Sequence, residues 1–159
     1  MKNLPTPAHI FADLWGIHHF RQNLYQEAMS LDNVGSLRRI CSRGYMSSLL
    51  FQKEIQALYD RMKSSLVDGD IRRKIEQFSP PSFFSPKDDR LSVAHIIRNY
   101  ESKTIKSYQG LISKMSLSKD DIHLLTDHLY KLKDLHRELF KELARSYEIL
   151  NPLTLKFQD

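Results

Sequence analysis

The sequence predicts an all-α fold, an antiparallel bundle of four long helices, and three observations carry that prediction. Apolar residues recur at alternating spacings of three and four along four long stretches of the 159-residue chain. Five Gly and six Pro leave those stretches nearly uninterrupted. Two of the connections are so short that the helices they join must be antiparallel neighbours. A chain of this length buries a sufficient core as a single domain, taken as 1–159, without disulfides or cofactors. Helices are expected at about 7–31, 36–66, 90–115 and 119–150, with a crossover over 67–89.

Thr6 and Pro7 open the first helix, a side-chain cap followed by proline at the first helical position. Its seam reads Ile10, Leu14, Ile17, Arg21, Leu24, Ala28 and Leu31. Gly16 weakens it by about 1 kcal/mol relative to Ala, which predicts a kink or break beside Trp15. Asp32 to Ser36 is a tight turn. The second helix follows with the seam Leu37, Cys41, Gly44, Ser48, Phe51, Ile55, Leu58 and Met62. The small pair Gly44 and Ser48 either lets a neighbouring backbone approach or receives a large side chain from across the core.

From Val67 to Arg90 the pattern breaks into a short amphipathic piece around Ile71 to Phe78 and a Pro- and Phe-rich stretch, Ser79 to Pro86. A connection this long allows a crossover along the bundle, with Phe83 and Phe84 pinning it to the surface. Asp88 and Asp89 suit the start of the third helix, whose seam is Ala94, Ile97, Glu101, Thr104, Tyr108, Leu111 and Met115. Ser118 to Asp121 reads as a capping box opening the fourth. Its seam is Ile122, Leu125, Leu129, Leu132, His136, Leu139 and Leu143, ending near Leu150 before Asn151 and Pro152.

Composition narrows the function classes. The N-terminal stretch Met1 to Phe20 lacks the apolar run of a signal peptide, and no stretch is long and apolar enough for a membrane span. The single cysteine, Cys41, excludes an internal disulfide and reads as a small core hydrophobe, so a reducing cytoplasm is the expected location. The net charge of +5 is concentrated in residues 37–115, which carry +7 against −1 on either side. Those charges occupy solvent positions of helices, including Arg72, Arg73 and Lys74, and argue for a solvated basic face over a nucleic-acid surface.

Arg21, Glu101 and His136 are the ionisable residues that interrupt apolar seams, each near the middle of its helix. Stacked in register, they meet at one height opposite Gly44 and Ser48. Buried singly, each costs several kcal/mol, so they are expected to satisfy one another. Glu101 is the expected partner of Arg21, with His136 hydrogen-bonded to the same network and Tyr108 or Tyr25 as further members. A dinuclear carboxylate site needs inward Glu residues and Glu-x-x-His pairs that are lacking here: Lys133 precedes His136 by three, and Ala57 follows Glu54 by three. A guanidinium also repels a metal ion. His18 and His19 are sequential and His123 and His128 five apart, so neither pair has helical metal spacing, and all four are expected at the surface or boundary.

The segments Leu37 to Ile40 through Phe51 to Ile55, and Ile97 through Glu101 to Tyr108 continuing to Leu132 to His136, give the chain a resemblance. Over about residues 17–143 it resembles a family of uncharacterised bacterial ferritin-like four-helix-bundle proteins. The resemblance implies a long crossover between helices two and three, and an inward Glu on helix three paired with a late His on helix four, roles that fall to Glu101 and His136. Ser48 departs from the bulky basic residue of many relatives, and Arg21 brings the positive charge from helix one instead. The expected function is a non-enzymatic structural or protein-interaction bundle, without cofactor, metal or small-molecule pocket at its core, with a homo-oligomer or another protein as partner. The alternative is a degenerate ferritin-like metal or redox protein holding iron or zinc at Glu101 and His136.

Overall fold

The structure, a computed structural model, describes residues 6–63 and 69–150, with side chains to residue 145. It is all-α: α1 (Pro7–Ser30), α2 (Leu37–Met62), α3 (Asp70–Gln77), α4 (Arg90–Lys114) and α5 (Lys119–Leu150), with no strand among the described residues. The third and fourth helices expected from the sequence are therefore α4 and α5, and the amphipathic piece of the connection is α3.

Local chemistry sets the helix ends. The Thr6 hydroxyl accepts the His9 N–H at 3.2 Å, with Pro7 next in line. Asp89 accepts the Ser92 N–H at 2.8 Å and starts α4. Ser118 Oγ accepts the Asp121 N–H at 3.2 Å ahead of α5. Gly35 turns the chain between α1 and α2 at a φ of +50°, which glycine adopts without the penalty a Cβ would impose. α1 runs through Gly16 without a break, because packing of the flanking Trp15 and Leu14 outweighs the propensity cost of one glycine. α2 ends at Met62, which is exposed and not a seam residue. The expected continuation to Leu66 and the stop at Asn151 and Pro152 fall outside the described residues.

Contacts between helices fix their directions. Tyr25 meets Gly44, Arg21 meets Ser47 and His18 lies at Gln52, so α1 and α2 run oppositely. Ser102 with His136, and Tyr108 with His128, show the same for α4 and α5. Arg21 with Glu101, and His18 with Tyr108, set α1 against α4 in opposite senses. It follows that α2 and α4 run the same way, and the connection between them returns the chain from one end to the other. That connection is anchored in the interior, not merely at the surface. Phe84 is buried among Leu24, Leu37 and Ile97, and the Glu27 carboxylate accepts the N–H groups of Phe83 and Phe84 at 3.2 Å each.

The core is in two parts. One surrounds Leu24, Ala28, Leu37, Cys41, Ile97 and Leu139; the other surrounds Phe11, Trp15, Phe51, Ile55, Leu125 and Leu132. Between them, at mid-height, lie the buried polar residues His18, Arg21, Ser48, Glu101, Thr104 and His128.

Candidate functional site

Arg21 is the centre of this layer. Its position three residues before Leu24 on α1 carries it into the interior, where it is 1% exposed. Nε donates to Glu101 Oε1 at 2.7 Å, one Nη donates to His18 Nδ1 at 3.0 Å, and the other to Ser47 Oγ at 3.2 Å. The guanidinium carbon also lies 5.6 Å from the Tyr25 ring centre and 5.8 Å from that of Phe51. Burial works against the Arg21 charge, but Glu101 more than compensates with help from the Tyr25 and Tyr108 hydroxyls, and the pKa stands above its ordinary value.

Glu101 is fully buried on α4. Its Oε2 and the Tyr25 hydroxyl both lack a partner at hydrogen-bonding geometry. Burial first, and then the Glu101 charge, push the Tyr25 phenol well above its usual pKa. The Tyr25 ring itself rests on Gly44, where an added Cβ would fall inside the ring carbons. The small residue of α2 therefore receives a large side chain from α1.

A directional chain of hydrogen bonds leaves Arg21 on its other side. A guanidinium only donates, so His18 Nδ1 must accept. The neutral ring then carries its proton on Nε2, which lies 2.5 Å from the Tyr108 hydroxyl. The Tyr108 oxygen accepts that proton and donates its own to His128 Nδ1 at 2.8 Å. His128 in turn carries its proton on Nε2, pointing to Glu54 Oε1 at 3.4 Å, outside hydrogen-bonding geometry. Both rings are held neutral. Burial, then the Arg21 charge, lower the His18 pKa well below its ordinary value, and burial lowers that of His128 to about 4. His128 also stacks on Phe51 with ring centres 3.9 Å apart. Burial first, and then the Glu54 and Glu101 charges, raise the Tyr108 pKa against the opposing pull of Arg21, so the phenol remains a donor.

Several expected placements change. His136 is only half-buried, and its Nε2 meets Ser102 Oγ at 2.9 Å on the flank of α4. The inward histidine of α5 is His128. The seam steps three residues from Leu125 to His128 and then through Leu132, Leu135 and Leu139, leaving Leu129 and His136 to one side. Ser48 is buried but turns its hydroxyl to the Tyr45 carbonyl at 2.6 Å, and Ser47 supplies the contact to Arg21. His18, expected at the boundary, is fully buried. Its signal was present in the sequence: on a helix, residues i and i−3 share a face, so placing Arg21 inside places His18 beside it. Cys41 is buried, its thiol pushed up to about 12 by burial, which suits the hydrophobe expected of it.

The layer also reaches the surface. α1 packs far more closely against α2 than against α4. The space left between α1 and α4 is a groove of about 460 Å³, walled by Trp15, Phe20, Phe78 and Tyr100, with Arg21 on its floor and Lys74 and Lys103 at its edges. This groove opens to the surface beside the polar layer and is not a cavity within the core. No set of three or more His, Cys, Asp or Glu side chains converges on one point among the described residues, and no described helix is long and apolar enough to cross a membrane.

Against known proteins, the chain matches no protein-family model, no curated protein and no solved structure.

Proposed function

We propose that this chain is an antiparallel four-helix bundle of ferritin-like connectivity in which an ion-paired polar layer stands where a metal site would lie, and that it serves as a non-enzymatic structural or protein-interaction domain of the bacterial cytoplasm. The connectivity is supported by the parallel course of α2 and α4 and the long return between them. The observation that carries the functional reading is the contact of Arg21 Nε with Glu101 Oε1 at 2.7 Å, both side chains buried. A guanidinium bound directly to the only acidic group of the layer occupies the coordination space and repels a divalent ion. The histidines of the layer are committed as well: His18 Nδ1 accepts from Arg21 and His128 Nδ1 accepts from Tyr108, so neither of these lone pairs is offered to a metal.

The competing reading, iron or zinc at Glu101 and His136, requires the carboxylate to leave Arg21 and His136 to leave Ser102. Elemental analysis of protein purified without a metal-affinity tag, followed by calorimetric titration with ferrous and zinc ions, separates the two. Less than one-tenth of an equivalent of metal, with no saturable heat, is the result expected. A stoichiometric ion that is lost in Glu101→Gln would overturn the proposal. Self-association draws on exposed apolar residues of α2 and α5, among them Met46, Leu50, Tyr130 and Phe140. Sedimentation as a concentration-independent monomer removes that part of the reading.

A further inference from the structure

We propose that the groove between α1 and α4 is a binding site for a small amphipathic carboxylate, an aryl or arylalkyl acid, which buries its ring between the aromatic walls and sets its anionic end against Lys103. Three properties of the groove lead to that ligand class. The first is size: a volume of about 460 Å³ lies in the range that takes a small organic molecule.

The second is the lining. Trp15 and His19 are stacked with ring centres 5.1 Å apart, and Phe78 meets His19 edge-on at 4.7 Å. Phe20 and Tyr100 form the opposite wall with ring centres 5.0 Å apart. Rings already arranged face-to-face and edge-to-face around an open space offer a flat apolar body the same geometries. α3, which also buries Ile71 in the core, supplies Lys74 to this wall, and its C-cap supplies Phe78.

The third is charge. At one edge Lys74 is neutralised by Asp13, Nζ to Oδ1 2.6 Å. Lys103 has no carboxylate partner among the described residues and lies over the Tyr100 ring at 5.4 Å. On the floor, Arg21 is 1% exposed and its charge is paired with Glu101 at 2.7 Å, so Lys103 is the cation left to meet a ligand. The groove therefore offers one uncompensated positive charge, Lys103, beside aromatic walls, and its complement is an anion on a flat apolar body. A cationic ligand would meet Lys103 with the same sign of charge.

Trp15 is the only tryptophan of the chain, so its fluorescence reports on this groove directly. Full-length protein is titrated with phenylbutyrate, phenylbutanol and phenylbutylamine, which share a body and differ in the head group. Saturable change is expected with phenylbutyrate, at a dissociation constant at least about fivefold lower than for the alcohol or the amine. Lys103→Glu, at an exposed position, is expected to weaken phenylbutyrate about tenfold and leave the alcohol within about twofold. Ser107→Phe, also exposed and on the groove lining, is expected to abolish all three by filling the space. The proposal is overturned if phenylbutyrate gives no saturable change, if the amine binds as well as the acid, or if Lys103→Glu leaves the acid unaffected.

Discussion

Removing Arg21 tests the energetics of the buried layer. In Arg21→Met the new side chain keeps most of the aliphatic volume, so the change isolates the charge. Glu101, at 0% exposure, is left ionised with its 2.7 Å partner gone. Breaking one side of a buried pair costs about 3–5 kcal/mol, because the remaining charge stays desolvated. Loss of the hydrogen bond to His18 adds to this, whereas Ser47 keeps its own bond to the Gly44 carbonyl at 2.9 Å. We expect a loss of about 4 kcal/mol in urea unfolding at pH 7, a midpoint shift of about 2 M at ordinary m-values. In Arg21→Met/Glu101→Leu both charges are gone, and stability should return to within about 1 kcal/mol of the parent, as an apolar replacement of a buried pair does. A cost below about 1 kcal/mol for the single variant, or a double variant as unstable as the two singles summed, refutes the reasoning.

Two glycines should respond to alanine with opposite signs. Gly44→Ala forces the buried Tyr25 ring off α2 and should lower the melting temperature by about 5–10 °C, whereas Gly16→Ala meets only the Lys74 stem at 3.5 Å and should stabilise by about 0.5–1 kcal/mol, both read by thermal melts. His18 and His128 have folded-state pKa values below the unfolded value of about 6.5, so the unfolded chain takes up more protons as pH falls. Stability should be complete above about pH 6.5 and decline from there towards about pH 4, a slope that urea midpoints measured across the range will show or fail to show. Glu27→Ala releases the amides of Phe83 and Phe84, and hydrogen exchange at those two residues should accelerate by about tenfold or more while exchange in α2 is unchanged.

The all-α fold was legible because caps and period agree locally. Thr6, Asp89 and Ser118 each accept the N–H three residues on, and Leu37 to Leu58 and Ala94 to Tyr108 are buried where the seams put them. Arg21 and Glu101 stood out because a charge on an apolar seam has few places to go but to its opposite. His128 did not stand out. Spacings of three and four both continue a seam from Leu125, and hydrophobicity favours Leu129 over His128; only contacts with Phe51 and Tyr108 on other helices decide for histidine. The seam placed Ser48 inside, where it is buried, but the Arg21 contact comes from its neighbour Ser47, which the rotation of α2 against α1 decides. The groove was illegible for a related reason. It arises from how far α4 stands off α1, which no periodicity encodes.

Within the buried layer a directional hydrogen-bond chain runs from the Arg21 guanidinium through neutral His18, Tyr108 and neutral His128. Two-bond nitrogen–proton NMR correlation of the imidazoles, recorded at pH 7 before and after addition of zinc ions, tests it most directly. His18 and His128 are expected to be both neutral with the proton on Nε2, with signals that do not move with zinc. A proton on Nδ1 of either ring, a charged imidazolium, or a zinc-dependent shift would contradict it.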